Sequence, residues 1–303
     1  PGGDDAFFSG RIRVVNRPVD YSCGDNVYAP SGHAFSVKRH RPALGGRPVI
    51  PDSHIGAHGL VADDVGTEAS GEVERRATAT GEAVARVAEV ELDALLVGTP
   101  VPFRDDAYSA IAKQPVTGPV RVGWDGLEGD AVADRVHHGG WDKAIHLYAQ
   151  DHYGWWRDRL PGHRLLESPG AFGENIAARG LTESQLCLGD RFTFGSAVVE
   201  ISHGRQPCWK LDHRFGTRDV MATIVKTGRC GIYLRVIQEG MAEAGTRMTL
   251  LDRPFPAWTI DRVFRLLIGG GHKKDPAGVR ALADMPILAE TWRDRARKLA
   301  PVA

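Results

Sequence analysis

Residues 191–211 read RFTFGSAVVEISHGRQPCWKL, and this stretch decides the fold. Arg191-Phe192-Thr193-Phe194 and Ala197-Val198-Val199-Glu200-Ile201-Ser202 are strand-like runs separated only by Gly195-Ser196. Two such runs joined by two residues, the first of them glycine, predict a β-hairpin. The second strand runs into His203-Gly204-Arg205-Gln206-Pro207, where Gly and Pro force the backbone to turn. The hairpin therefore carries one thiol, Cys208, to a turn that also holds Arg205, Lys210 and His203. Positive charge beside a thiol favours the thiolate, the form that ligates metals or attacks electrophiles. The residues alone leave two readings level: an activated thiol, or a small buried core residue with solvated basic neighbours.

Further strand signals lie on both sides. Val87–Val90 and Ala94–Val97 are apolar runs, and Pro115–Val122 alternates between bounding Pro and Gly residues. Lys143–Tyr148, Gly231–Ile237 and Thr246–Leu251 follow the same pattern. One helix is predicted between them, with Asp151 as N-cap, Tyr153, Trp156 and Leu160 on one face, and Pro161-Gly162 as its stop. Many short strands with few helices favour a mixed, mainly β fold built on a β-barrel over a doubly wound sheet. Beyond Pro254-Phe255-Pro256 three helical segments are expected: Ile260–Leu267 capped by Thr259, Ala277–Ala283 opened by Pro276, and Leu288–Leu299. Helices this short are not stable alone, so they should pack on the barrel. The expected division is 1–85, 86–253 and 254–303. The first of these is rich in Gly, Pro, Asp, Arg and Ser, with little apolar surface to offset chain entropy, and reads as a poorly structured extension with a short helix near Val73–Val84.

Of the 303 residues, 42% are apolar and 25% charged, as in ordinary globular proteins. The formal net charge of zero argues against a nucleic-acid polymer as partner. The 36 glycines suit turns better than helices. Cys23, Cys187, Cys208 and Cys230 form no CxxC pair and read as free thiols in a reducing, cytoplasmic setting. No apolar run reaches the roughly 20 residues that a membrane-spanning helix needs. The start carries no secretory pattern.

Two more constellations carry chemistry. In Val136-His137-His138-Gly139-Gly140-Trp141-Asp142-Lys143, imidazoles precede a Gly-Gly turn whose backbone N–H groups suit an anion such as a phosphate. A plain surface turn explains the same residues. In Ala171-Phe172-Gly173-Glu174-Asn175-Ile176 a carboxylate and an amide stand at a strand entrance, where they either meet a heterocycle edge or hold the loop.

In order and type these pieces resemble the MOSC family, the domain found at the C-terminus of molybdenum-cofactor sulfurases, and most closely its free-standing YiiM-type branch. The resemblance rests on His138-Gly139-Gly140 with Asp142-Lys143-Ala144, Phe172-Gly173-Glu174-Asn175, Gly180-Leu181-Thr182-Glu183, Gly189-Asp190, Pro207-Cys208-Trp209-Lys210-Leu211, and Thr227-Gly228-Arg229 with Gly231. It covers Val87 to Asp252. The tail resembles the three-helix module of that branch. One departure is His203, where the branch commonly carries Gln.

The resemblance implies a mostly antiparallel MOSC-type β-barrel and a molybdenum cofactor (molybdopterin) whose metal is ligated by Cys208. A soft thiolate suits that metal. His138, Glu174 and Asn175 fall on motif positions and are expected to line the pocket, beside the Gly139-Gly140 turn. By charge and position, Lys143, Arg205, Lys210 and Arg229 are candidates for the pterin phosphate. The implied activity is reduction of small N-hydroxylated substrates such as hydroxylaminopurine, a detoxification, with His138 or His203 as proton donor and a separate reductase as electron source. The alternatives are a sulfur carrier through a Cys208 persulfide and a non-catalytic module that binds or delivers the cofactor. A zinc site of His137, His138, His203 and Cys208 ranks last.

Overall fold

The computed structural model describes residues 89–135 and 137–301, all within one compact unit, Val65–Ala303. The expectations for residues 1–85 and for Cys23 lie outside the described residues.

The first strand, β1 (Glu89–Val97), takes in the Ala94–Val97 run whole and the end of the Val87–Val90 run, whose Val87 and Ala88 lie outside the described residues. Its register against a later strand shifts between Leu92 and Ala94. That bulge breaks strict alternation, so Leu92, Leu95 and Leu96 are all buried while Asp93 stays exposed. A two-stranded hairpin follows, β2 (Val101–Arg104) with β3 (Ala107–Ser109). The run read as one strand over Pro115–Val122 is two pieces, β4 (Gln114–Pro115) and β5 (Val120–Gly123). Between them Gly118 takes φ +77° and Pro119 has no N–H to donate, which ends the ladder. Then come β6 (Gly126–Leu127), β7 (Ile145–Ala149) and α1 (Asp151–Arg159). Gln150 flanks α1, and Asp151 is its first residue rather than its cap. The Asp151 carboxylate instead accepts from Gly180 N at 2.9 Å.

The remaining strands are β8 (Ile176–Ala178), β9 (Arg191–Phe194), β10 (Ala197–Gly204), β11 (Ile232–Gln238), β12 (Gly240–Ala242) and β13 (Arg247–Asp252). Seven of the strands close into a barrel in the order β13-β9-β10-β11-β7-β8-β1, with β1 returning to β13 through Val90↔Met248. The hairpin β9–β10 has Ala197 opposite Phe194 across Gly195-Ser196. Every barrel pairing is antiparallel except β7–β8. A parallel pair needs a crossover, and α1 lies in the segment that provides it.

Inward positions fill the barrel with Leu95, Ile145, Leu147, Ile176, Phe192, Val199, Ile201, Leu234 and Val236. Each such burial is worth ~1.5–3 kcal/mol. Alternation on β11 and β7 turns Tyr233 and His146 the other way, and the register shift between Ile201 and His203 brings His203 opposite Tyr233, so the three stand side by side across three strands. Tyr153 and Trp156 of α1 are buried, and Trp156 Nε1 donates to Tyr148 Oη at 2.7 Å.

Two helices were not anticipated, α2 (Trp209–Arg214) and α3 (Val220–Thr227), the latter ended by Gly228 at φ +78°. At the C-terminus lie α4 (Ile260–Leu267), α5 (Pro276–Ala283) and α6 (Glu290–Leu299). Thr259 caps α4 by accepting from Arg262 N, and Asp275 caps α5 by accepting from Gly278 N. Val263, Phe264, Leu282, Trp292 and Ala296 join the same apolar core as the barrel. Among the described residues no helix is long and apolar enough to cross a membrane.

Candidate functional site

Where β10 ends at Gly204, the chain leaves the barrel as a loop that reaches α2 at Trp209. Arg205 N donates to Gly231 O at 2.9 Å, which ties the start of this loop to the entry of β11. Gly231 has φ +81°, and a Cβ there would lie 2.4 Å from His146 Nε2, so only glycine allows this close approach. Cys208 is the residue just before α2 and is half-buried.

Cys208 lines a cleft enclosing about 610 Å³, counting the part open to solvent. His138, Lys143, Asn175, Arg205 and Lys210 line it as well. Six of the residues singled out from the sequence therefore share one cleft. Lys143 Nζ donates to His137 O at 2.7 Å and Lys210 Nζ to Tyr108 O at 3.3 Å. Arg205 is 7% exposed, and its buried Nη1 has no hydrogen-bond partner. Among the described residues none of these three cations forms an ion pair with a carboxylate. Burial, and then the charges of Arg205 and Lys210, push the His138 imidazole down to about 4. At pH 7 it is therefore neutral in the ligand-free cleft, not an imidazolium.

The other predicted residues stand elsewhere. Glu174 is fully buried behind the wall, where it accepts from Gly170 N at 2.7 Å, Phe172 N at 3.0 Å and the Tyr153 hydroxyl. His203 is buried, with Nδ1 2.9 Å from Ser202 Oγ and its ring 5.3 Å from that of Trp292. Arg229 stacks over Trp155 at 4.3 Å. Gly139 and Gly140 do not line the cleft. They shape the turn before Lys143, whose N donates to Gly140 O at 2.9 Å. Among the described residues no three His, Cys, Asp or Glu side chains gather as a metal site.

Sequence reasoning missed Lys113, Asp130, His146 and Tyr233, all of which line the cleft. Lys113 and Asp130 form a buried ion pair. Asp130 also accepts from Gly98 N and from Asn175 Nδ2, both at 2.8 Å. Burial lowers the Lys113 ammonium against the opposing pull of Asp130. His146 Nδ1 donates to Gly173 O at 3.2 Å, and burial holds the ring neutral. Burial raises the Tyr233 hydroxyl above its usual range, with Arg205 acting in the opposite sense. Facing positions on β7 and β11 carried a readable signal for His146 and Tyr233. Lys113 and Asp130 sit in irregular segments without one.

Known proteins share sequence and fold with this chain. Residues 134–249 match the MOSC domain. The chain is 37% identical over 185 residues to the uncharacterized protein YflK of Bacillus subtilis, covering 61% of this chain and 81% of that protein. A protein named "Reductase" from Gibberella moniliformis is 38% identical over 160 residues, which cover 52% of this chain but only 28% of that protein. The crystal structure of YiiM from Geobacillus stearothermophilus superposes with a TM-score of 0.58 at 33% identity, covering 70% of this chain and all of that one.

Proposed function

This chain belongs to the MOSC domain family, and from that membership we propose that the cleft around Cys208 holds a molybdenum cofactor and reduces N-hydroxylated compounds such as hydroxylaminopurine-type bases. The observation that carries the reading is one cleft that joins a half-buried thiol to three cations lacking carboxylate partners. That donor set fits the cofactor: a soft sulfur for the metal and hard cations for a terminal phosphate. Cys208 is the metal ligand, and Lys143, Arg205 and Lys210 hold the anionic groups. Outside the cleft, Glu174 supports the surrounding backbone and Arg229 packs on Trp155.

When bound, the cofactor supplies the two-electron couple, with an external reductase as electron source. The net change, R–NHOH plus two electrons and two protons giving R–NH2 and water, requires protons at the substrate oxygen and nitrogen. Within the cleft the Tyr233 hydroxyl, which burial raises above its usual range, is a proton-bearing group beside the substrate. His138 lines the same cleft as a hydrogen-bonding group. Asn175 is held by Asp130 and by Leu96 O and keeps the wall beside β8 fixed.

The test is metal and pterin analysis of the purified protein, then turnover of hydroxylaminopurine with an artificial electron donor. Molybdenum and pterin should copurify, and Cys208→Ser should abolish turnover while leaving thermal unfolding unchanged. Full turnover by a cofactor-loaded Cys208→Ala protein would refute the role of the sulfur. Cofactor without turnover would mark a delivery module, and a persulfide on Cys208 without molybdenum a sulfur carrier.

A further inference from the structure

We propose that this cleft is a proton-coupled anion site, in which a dianion seated among Lys143, Arg205 and Lys210 brings a proton onto the imidazole of His138. The proposal rests on the anion-binding part of the reading above and is independent of the redox chemistry.

The four groups come from separate parts of the chain. His138 and Lys143 flank the turn before β7, whereas Arg205 and Lys210 flank Cys208 after β10. Lys143 and Lys210 point their ammonium groups at backbone carbonyls, and Arg205 keeps an unpartnered N–H inside the wall. The carboxylate that faces His138 from its own loop is Asp134, and it is already engaged by His137 through N at 3.1 Å and Nδ1 at 3.0 Å. His138 therefore meets a field set mainly by uncompensated positive charge. Burial and that field together hold it neutral at pH 7. A bound dianion cancels the charge of the cations and adds attraction of its own, which reverses the sign of the electrostatic part. The proton comes from solvent, and no covalent bond changes.

The sign of the linkage follows. The imidazole pKa is higher with the anion bound than without it. Proton-assisted binding is thus strongest below the free value of about 4 and is lost as pH rises through the bound value. Between those limits affinity changes by about tenfold per pH unit for one coupled proton.

Sulfate is the probe, because it remains a dianion throughout the range used. Calorimetric titration of the full chain at pH 5, in two buffers of different ionisation heat, should reveal uptake approaching one proton per sulfate. Sulfate affinity should fall at least about tenfold between pH 5 and pH 7. His138→Asn should still bind sulfate at pH 7 but lose both the uptake and the pH dependence, and Lys210→Gln should weaken binding at every pH. Histidine nitrogen spectra of the wild-type chain should show the His138 ring gaining a proton when sulfate is added at pH 5. Thermal unfolding confirms that each variant is folded. Sulfate binding without proton uptake, or His138→Asn with the wild-type pH dependence, overturns the proposal and leaves the anion site standing. No sulfate binding by the wild type at any pH overturns both.

Discussion

Asp130→Asn is the substitution that most directly probes how the cleft is built. The change keeps the side-chain shape, so no cavity forms. It leaves the Lys113 ammonium buried at 8% exposure without its counter-ion, and turns an amide toward Asn175 Nδ2 where a carboxylate oxygen accepted at 2.8 Å. Removing one partner of a buried pair costs about 3–5 kcal/mol, since the remaining charge has neither water nor an opposite charge. For a fold of this size that lowers the unfolding temperature by roughly 6–20 °C. Burial already lowers Lys113 and Asp130 opposes that, so the variant lysine titrates lower still. A lysine depressed in the folded state costs stability below its folded pKa and ceases to do so as pH rises toward 10.5. The gap between variant and wild type should therefore narrow at alkaline pH. Lys113→Met combined with Asp130→Asn removes the orphaned charge and should recover most of the loss. Urea unfolding at pH 7 and pH 9.5 of the two variants and the wild type measures all of this. A cost under about 1 kcal/mol, or a double variant no better than the single one, would refute the reasoning.

Gly195→Ala should destabilise the β9–β10 hairpin by about 1–3 kcal/mol, because φ is +63° and the new Cβ would lie 2.0 Å from Met241 O; urea unfolding reads it. Gly154→Ala in α1 is the opposite case, with open space around the added methyl, and should stabilise by about 0.5–1 kcal/mol in the same assay. Thr259→Ala removes the cap of α4 and should cost about 1 kcal/mol, seen as an earlier thermal transition.

The hairpin at residues 191–204 was legible because alternation and a two-residue turn are both local signals. The C-terminal helices were legible because Thr259 and Pro276 mark their starts. The strand β8 was not, since Ile176-Ala177-Ala178 is buried on both faces between β7 and β1 and shows no alternation. The helix α3 carried a usable signal that went unread: Val220, Thr223 and Ile224 at helical spacing, then Gly228. In the site, Cys208, Arg205 and Lys210 were legible as near neighbours in sequence. Lys113 and Asp130 became partners only through a barrel that brings two irregular segments together. Glu174 was legible as important but not as to place, because a carboxylate beside glycines fits a ligand and a loop anchor equally well.

That ambiguity resolves into a common arrangement. Glu174 accepts from the amides of Gly170 and Phe172, Glu183 from Gly231 N at 2.7 Å, Asp190 from Cys187 N at 2.9 Å, and Asp130 from Gly98 N. These carboxylates are engaged in fixing irregular backbone, and they also meet the Tyr153 hydroxyl, His152, Arg253 or Lys113. None of them pairs with Lys143, Arg205 or Lys210. A chain whose charges sum to zero thus presents a positive cleft, because these acids are engaged by backbone amides and other partners, whereas Lys143 and Lys210 meet backbone carbonyls rather than carboxylates. Net charge read from composition could not reveal this field. Its sign depends on which carboxylates the barrel turns toward backbone amides, and the Glu183–Gly231–Arg205 connection shows the two roles joined: the acid holds the glycine whose carbonyl holds the arginine loop in place.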